Sequence, residues 1–406
     1  MSLRREPRRA DGERSTFVRL AVLWLAGVDL RATLLALPPV LILVHRDLGL
    51  SETGVGALTS LPVLVLAGAA VPGSLLIARA GARRAAIAGI LVVAVSSALR
   101  GLGPSVPMLF AMTFVMGAGI AVIQPAVPAL VARWCPDRIG FTTALYVNGL
   151  LVGETLSAAF TLPLVLPLVG GGWPLALAAW SVLPLGTAGL MLVLRRHLPD
   201  AAVGPAARWW PDWRSPDTWR LGFVLGGIGT AYFATNAFIP DYLRTAGRID
   251  LIGPCLAALN GGQLPASAIA LVVARAITGR RTPLLVVPAA IAVSLALFLA
   301  APPALWVLGA GLIGFCCAFG LVLSLALPPL VVEARDVHHL SAGMFAVGYG
   351  YSFVLPLLGG VAWDVSHVPA AAFLPVFVGA ATTFLAALAL PADAGHAGRD
   401  VLEVAG

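Results

Sequence analysis

Asp29 and Arg31 sit two residues apart in "WLAGVDLRATLLALPPVLILV", Trp24 to Val44, a stretch that is otherwise apolar. A third ionisable group, Glu154, stands in equally apolar surroundings in "NGLLVGETLSAAF". An unpaired charge in a bilayer core costs at least about 3 kcal/mol, so each group needs a partner, water or a solute. The Arg31 guanidinium offers a fixed charge on a planar fork of donors, which suits a small anion or a carboxylate. Its alternatives are therefore a substrate contact and a structural pair with Asp29 or Glu154. A desolvated carboxylate takes up a proton more readily than one in water, so Glu154 is read either as a proton-coupling group or as plain neutralisation of Arg31. Residues two apart do not face each other on a helix. Asp29 is accordingly a second proton-coupling candidate or a contact to a neighbouring helix.

Gln124, Tyr146, Asn148, Asn236, Asn260, Gln263, Tyr349 and Tyr351 add uncharged donors and acceptors within apolar runs. Buried amides and hydroxyls tie helices together in lipid, yet so many of them also point to a polar cavity. Gln124, Tyr146, Asn236, Gln263 and Tyr349 join Arg31 as substrate-binding candidates. Cys135, Cys255, Cys316 and Cys317 show neither a CxxC spacing nor a His partner and are assigned to packing. No metal site and no cofactor is expected. The sequence has no GxxxxGK[ST] loop for ATP and no HExxH or GxSxG in the right context, so nothing points to an enzyme.

Membrane helices are the elements that must hold these groups. With 406 residues, 59% of them hydrophobic and 11% charged, the chain has too few charged side chains to cover a soluble globule of its size. Runs long enough to span a bilayer, roughly 20 residues each, occur at about 18–44, 53–77, 85–102, 106–131, 140–167, 173–194, 219–243, 253–274, 283–301, 304–332, 340–363 and 369–390. The fold class expected is all-α membrane: twelve transmembrane helices in two pseudo-symmetric six-helix halves, 18–194 and 219–390. Between them "RRHLPDAAVGPAARWWPDWRSPDTW" reads as a cytoplasmic linker over 195–218. Residues 1–17 and 391–406 form tails. Trp209, Trp210 and Trp213 fit interfacial anchors. His338, His339, Asp241 and Asp364 fall near helix ends and are read as solvated.

A net charge of +7 would also suit a nucleic-acid binder, so the placement of the cations decides. All 26 basic residues are Arg, and 21 of them fall on one face of the predicted topology; Arg46, Arg100, Arg244 and Arg248 fall on the other. This positive-inside asymmetry puts both termini in the cytoplasm and makes a nucleic-acid surface unnecessary. The Arg-rich head leads into an apolar run too long for a signal-peptide core, so the first helix is expected to be retained.

The two halves echo each other. "ARAGARR" from Ala78 returns as "ARAITGRR" from Ala274, and "PALVARW" from Pro128 returns as "PLVVEAR" from Pro329. Tyr146 and Tyr349 follow those prolines at similar spacing. Three echoes in corresponding places suggest parallel repeats about an axis along the membrane normal.

The loop "SLLIARAGARR", Ser74 to Arg84, resembles the helix 2–3 signature of the major facilitator superfamily, G-x-x-x-D-[RK]-x-G-[RK]-[RK]. Arg79, Gly81, Arg83 and Arg84 match its basic residues and glycine, with Ala82 standing between Gly81 and the Arg pair; Ala78 stands where the signature has Asp, and Ser74 where it has the first Gly. Further stretches are similar to the cyanate and 2-nitroimidazole transporter family. They are "LAGVDLRATLLALPP", "RDLGLSETGVGALTSLPVL", "LRGLGP", "GAGIAVIQPAVPALV" and "LSAGMFAVGYGYSFVLPLLGG". The resemblance implies that helices 1, 4, 7 and 10 line a cavity that helix 5 borders, and that Arg79, Gly81, Arg83 and Arg84 belong to a gate at the cytoplasmic ends of helices. It also implies a monomeric secondary active transporter in the bacterial inner membrane. Such a protein would carry a small anion or small polar organic molecule, cyanate-like or nitroimidazole-like, by alternating access, with protons as the candidate coupling ion. The alternatives are a drug or metabolite exporter of the same superfamily and a non-transporting membrane sensor.

Overall fold

A computed structural model describes residues 6–50, 52–103, 105–199 and 208–390. Twelve helical segments are long and apolar enough to cross a membrane, and among the described residues there is no β-strand. In chain order they are α1 (Glu13–Leu48), α2 (Ala57–Ala80), α3 (Ala82–Leu102), α4 (Val106–Trp134), α5 (Pro136–Leu168) and α6 (Trp173–Val193). The second set comprises α7 (Pro216–Thr245), α8 (Ile249–Ala274), α9 (Arg281–Ala300), α10 (Pro303–Val331), α11 (Val337–Ser366) and α12 (Pro369–Leu388). Each predicted run coincides with one of them. The helix that carries α1 reaches back to Glu6, because no proline interrupts the chain between Pro7 and Pro38.

Prolines set the breaks. The helical ladder of α1 turns at Ala36, ahead of Pro38 and Pro39, which cannot donate to the carbonyls four residues earlier. α10 is interrupted at Ala326 and Leu327, immediately before Pro328 and Pro329. α5 widens into a π-helical turn over Thr161–Val165, around Pro163.

The chain divides into two compact units, residues 1–209 and 210–406. In each, the first helix packs in parallel against the fifth, and glycine permits the approach. In the first unit a Cβ on Gly149 would overlap the Trp24 carbonyl, and one on Gly153 the Val28 carbonyl. Gly27 in turn lies against the Tyr146 carbonyl. In the second unit Gly222 lies against Val347 and Gly226 against Tyr351. Each of the pairs Trp24–Gly149, Val28–Gly153, Gly222–Val347 and Gly226–Tyr351 is 125 residues apart, so the two seams keep the same register. Gly149–Gly153 and Gly222–Gly226 are both GxxxG spacings. In lipid, where apolar burial gives no drive to associate, such spacings bring backbones together for dispersion contacts.

Candidate functional site

The seam of the first unit sets the level of the charged groups. Because Val28 lies against Gly153, Glu154 comes level with Asp29. Arg31 is two residues further along α1, an axial offset of roughly 3 Å at 1.5 Å per residue. Arg31 is half-buried, Glu154 is 8% exposed and Asp29 is 1% exposed. The three groups thus occupy one layer of this helix pair, with Asp29 and Arg31 on different sides of α1. Thr187 of α6 faces Asp29, but its hydroxyl donates back to the Leu183 carbonyl at 3.2 Å. With that proton already committed, no described residue donates to either Asp29 oxygen. Gln124 of α4 and Tyr146 of α5 are buried in the same unit. The Trp24 indole N–H donates to Asn148 Oδ1 at 3.1 Å, which ties α1 to α5 one turn below the charges.

Arg100, one of the four arginines assigned to the outer side, is a helical residue of α3 and only 1% exposed, a burial that the sequence reading did not anticipate. Its Nη2 donates to the Thr33 carbonyl at 2.6 Å. That carbonyl lies in the last turn of α1 before the break at Ala36, where a helix end carries partial negative charge and favours a cation. The signal available in sequence was the proline pair, which implies stranded carbonyls nearby in need of a donor.

In the second unit the uncharged candidates form a connected network on α7 and α8. Asn260 is its centre. Tyr232 donates its hydroxyl to Asn260 Oδ1 at 2.8 Å, and Gln263 Nε2 donates to the same oxygen at 3.4 Å. Asn260 Nδ2 donates to Asn236 Oδ1 at 3.3 Å and to the Leu256 carbonyl at 2.9 Å. Asn236 Nδ2 donates to the Tyr232 carbonyl at 3.1 Å. Asn236 and Gln263 are therefore brought together through two residues that were not among the site candidates, Tyr232 and Asn260. Tyr349 lies on α11, 8% exposed, with its ring stacked on Phe345 at 5.9 Å between centroids. Tyr351 bonds Thr382 of α12 at 2.8 Å between hydroxyls, a helix tie.

The loop between α2 and α3 turns on Gly81, whose φ of 87° lies in the region that favours glycine. Its N–H closes the preceding helix on the Ile77 carbonyl at 2.9 Å. Two residues on, Arg83 Nη1 donates to the carbonyls of Arg195 at 3.1 Å and Leu198 at 2.5 Å, just past the end of α6. Arg19 Nε reaches the His197 carbonyl at 3.1 Å, and the Trp134 indole reaches the Pro199 carbonyl at 3.0 Å. Three elements thus hold one short segment by its backbone. Arg79 and Arg84 are exposed.

Other placements bear on the sequence reading. All four cysteines are free thiols, and burial pushes the Cys135 thiol up from its ordinary value, which fits a packing role. His338 is buried at 5% exposure, unlike the solvated residue expected; α11 begins at Val337, so its first turn is already packed. Trp210, Trp213, Trp219 and Phe223 form a chain of ring contacts at 6.1 to 6.4 Å that leads into α7. An open cleft of about 240 Å³ is lined by Arg46, Asp47 and Gly171–Pro174. It lies 15 residues beyond Arg31 along α1, roughly 22 Å away, and is unrelated to the buried charges.

The fold and this distribution of polar groups can be set beside known proteins. The family model of the Major Facilitator Superfamily matches residues 20–332. The chain belongs to this superfamily. Its members are transporters and not enzymes, and this major facilitator has curated relatives on the branch that the sequence resembled. It is 29% identical over 353 residues to the cyanate transport protein CynX of Escherichia coli (strain K12), covering 86% of this chain and 90% of that one. It is 28% identical over 236 residues to the 2-nitroimidazole transporter of the same organism, covering 58% and 59%. Among solved structures it matches the proton:xylose symporter XylE bound to 6-bromo-6-deoxy-D-glucose with a TM-score of 0.72. That match covers 93% of this chain and 95% of the other at 14% identity, a likeness of fold alone.

Proposed function

We propose that this major facilitator moves a small monovalent anion of the cyanate type across a bacterial inner membrane by alternating access, with Arg31 as the cationic pole of its substrate site. The observation that carries the reading is the layer shared by Arg31 and Glu154 on the α1–α5 seam. A fixed cation and a titratable carboxylate at one level can exchange partners when an anion arrives. Glu154 neutralises Arg31 in the empty site; the bound anion replaces it, and Glu154 then takes a proton, which couples the two fluxes. Gln124 and Tyr146 of the same unit supply uncharged contacts, and Asn236, Gln263 and Tyr349 are the substrate-binding candidates of the second unit. Asp29, lacking a donor among the described residues, is the second group suited to a proton. Arg79, Gly81, Arg83 and Arg84 act as a gate through the ends of helices. Both termini are cytoplasmic, in keeping with the Arg distribution, and the functional unit is the monomer. The relation to CynX supports cyanate as the first substrate to try.

Uptake of labelled cyanate into liposomes that contain the purified protein tests this. Uptake should exceed that of protein-free liposomes, saturate, respond to an imposed pH gradient and be inhibited by other small planar anions. Failure to move cyanate, together with efflux of larger apolar drugs, would replace the reading with that of an exporter.

A further inference from the structure

Amide side chains can present either end to a solute, and what they offer depends on how their own bonds orient them. In the α7–α8 network that orientation is fixed by two backbone carbonyls, which can only accept. The Leu256 carbonyl forces Asn260 to turn its Nδ2 back along its own helix, α8, and the Tyr232 carbonyl holds the Nδ2 of Asn236 along α7. Once Asn260 is so turned, its Oδ1 must face Tyr232 and Gln263, which are both compelled to donate. Asn260 is then fully used: both N–H groups donate and both oxygen lone pairs accept. It has nothing left for a solute. Asn236 keeps one N–H beyond its bond to the Tyr232 carbonyl, and Gln263 keeps one N–H beyond its bond to Asn260.

We propose that Asn260 is a positioning residue for substrate specificity: it locks the polarity of the network so that Asn236 and Gln263 present N–H donors to a solute rich in acceptor oxygen or nitrogen. This rests on the proposed transport of a small anion and names how the second unit, whose α7–α8 network is uncharged, recognises it. Two donors on neutral amides favour an anion without a second fixed cation, and neutral donors bind it less tightly than an arginine does, which lets it leave. The alternative role for Asn260 is a plain tie between α7 and α8, and the two roles differ in what a substitution changes.

The test is the KM and the maximal rate of labelled cyanate uptake by the full chain in liposomes, with the amount of folded protein measured by size-exclusion chromatography. Asn260→Asp keeps the acceptor, removes the donors and adds a negative charge beside the anion, so KM should rise by more than about tenfold. Asn260→Ala releases Gln263 to turn freely and leaves Asn236 held by the Tyr232 carbonyl alone, and should raise KM roughly fivefold to tenfold. Tyr232→Phe removes only one donated hydroxyl, leaves the packing intact, and should raise KM by about twofold to fivefold. In all three the maximal rate per folded molecule should stay within about twofold of wild type, as a loss confined to binding requires. Loss of folded protein or of maximal rate with KM unchanged, in Tyr232→Phe above all, would make the network a helix tie and overturn the inference while leaving the anion reading intact. Absence of cyanate uptake by the wild type itself would overturn both.

Discussion

In residues 1–209 the seam between the first and fifth helices has three ionisable groups in one layer, Asp29, Arg31 and Glu154. In residues 210–406 the seam between α7 and α11 has the same 125-residue register and no charged residue from Leu221 to Pro240 or from Leu340 to Trp363. Its polar content is an amide, phenols and the hydroxyls of Ser and Thr, one of which, Ser352, donates across the seam to the Gly226 carbonyl at 3.0 Å. The shared part is steric, since a glycine on one helix lets the other approach so closely, by backbone in the first unit and mainly by side chain in the second, that no Cβ fits without a shift. The parts that differ are side chains beside the seam, where the backbone sets no limit on type. Two repeats can therefore keep one framework while one of them supplies charge and the other supplies uncharged donors.

The comparison breaks first at the glycines. Gly149 meets a backbone carbonyl, which cannot move aside, whereas Gly222 meets Cβ and Cγ1 of Val347 at a slightly greater distance, and of these only Cγ1 can turn. Gly149→Leu should lower the melting temperature by roughly 10 °C or more, or abolish folding, through overpacking. Gly222→Leu should cost less, and Gly350→Leu, which meets nothing within 4 Å, should be close to neutral. Thermal unfolding of the three variants checks the order; equal losses at Gly149 and Gly350 would show that the seam is not where the packing is tight.

The charged layer gives the next effect. Glu154→Gln cannot take a proton, so uptake should proceed at rates within about tenfold of wild type but lose its response to an imposed pH gradient. The reverse change in the second unit, Gln263→Glu, should instead weaken anion uptake as pH rises and the new carboxylate ionises. Parallel pH profiles for wild type and Glu154→Gln would remove Glu154 from coupling.

The smallest effect is expected at the loop. Arg83 holds the Arg195 and Leu198 carbonyls, and Arg19 and Trp134 hold the same segment, so Arg83→Ala leaves it partly secured. Turnover should fall only a few-fold, less than the roughly tenfold or more that a charge-assisted bond is worth, because the bonds from Arg19 and Trp134 persist, with cyanate affinity of the solubilised protein unchanged. Equal loss of both would move Arg83 from gate to binding site or show misfolding.

The twelve helices were legible because hydrocarbon demands long apolar runs and the arginines mark one face. The loop after α2 was legible because Gly81 and its basic neighbours have fixed spacing. Asp29, Arg31 and Glu154 stood out because charge in such runs is costly. The burial of Arg100 was not legible, since an arginine two residues from a helix end reads as surface unless one sees the broken α1 that supplies its acceptor. Tyr232 and Asn260 were passed over as site residues because a network between helices has no period in sequence. Only the fold shows that Asn236 and Gln263 share a partner. The seam escaped notice for a related reason: GxxxG spacings are frequent in membrane helices, and nothing in the sequence says which of them meets another backbone.

The central claim, that the fixed cation of the first unit binds the substrate, is tested most directly by binding of labelled cyanate to purified protein with Arg31 substituted. Arg31→Ala should retain the chromatographic profile of a folded protein and bind at least about a hundredfold more weakly, the scale set by stranding or removing one member of a buried charge pair. Arg31→Lys should fall between, because it keeps the charge and loses the planar fork. Wild-type affinity in folded Arg31→Ala would contradict the account and return Arg31 to a structural role beside Glu154.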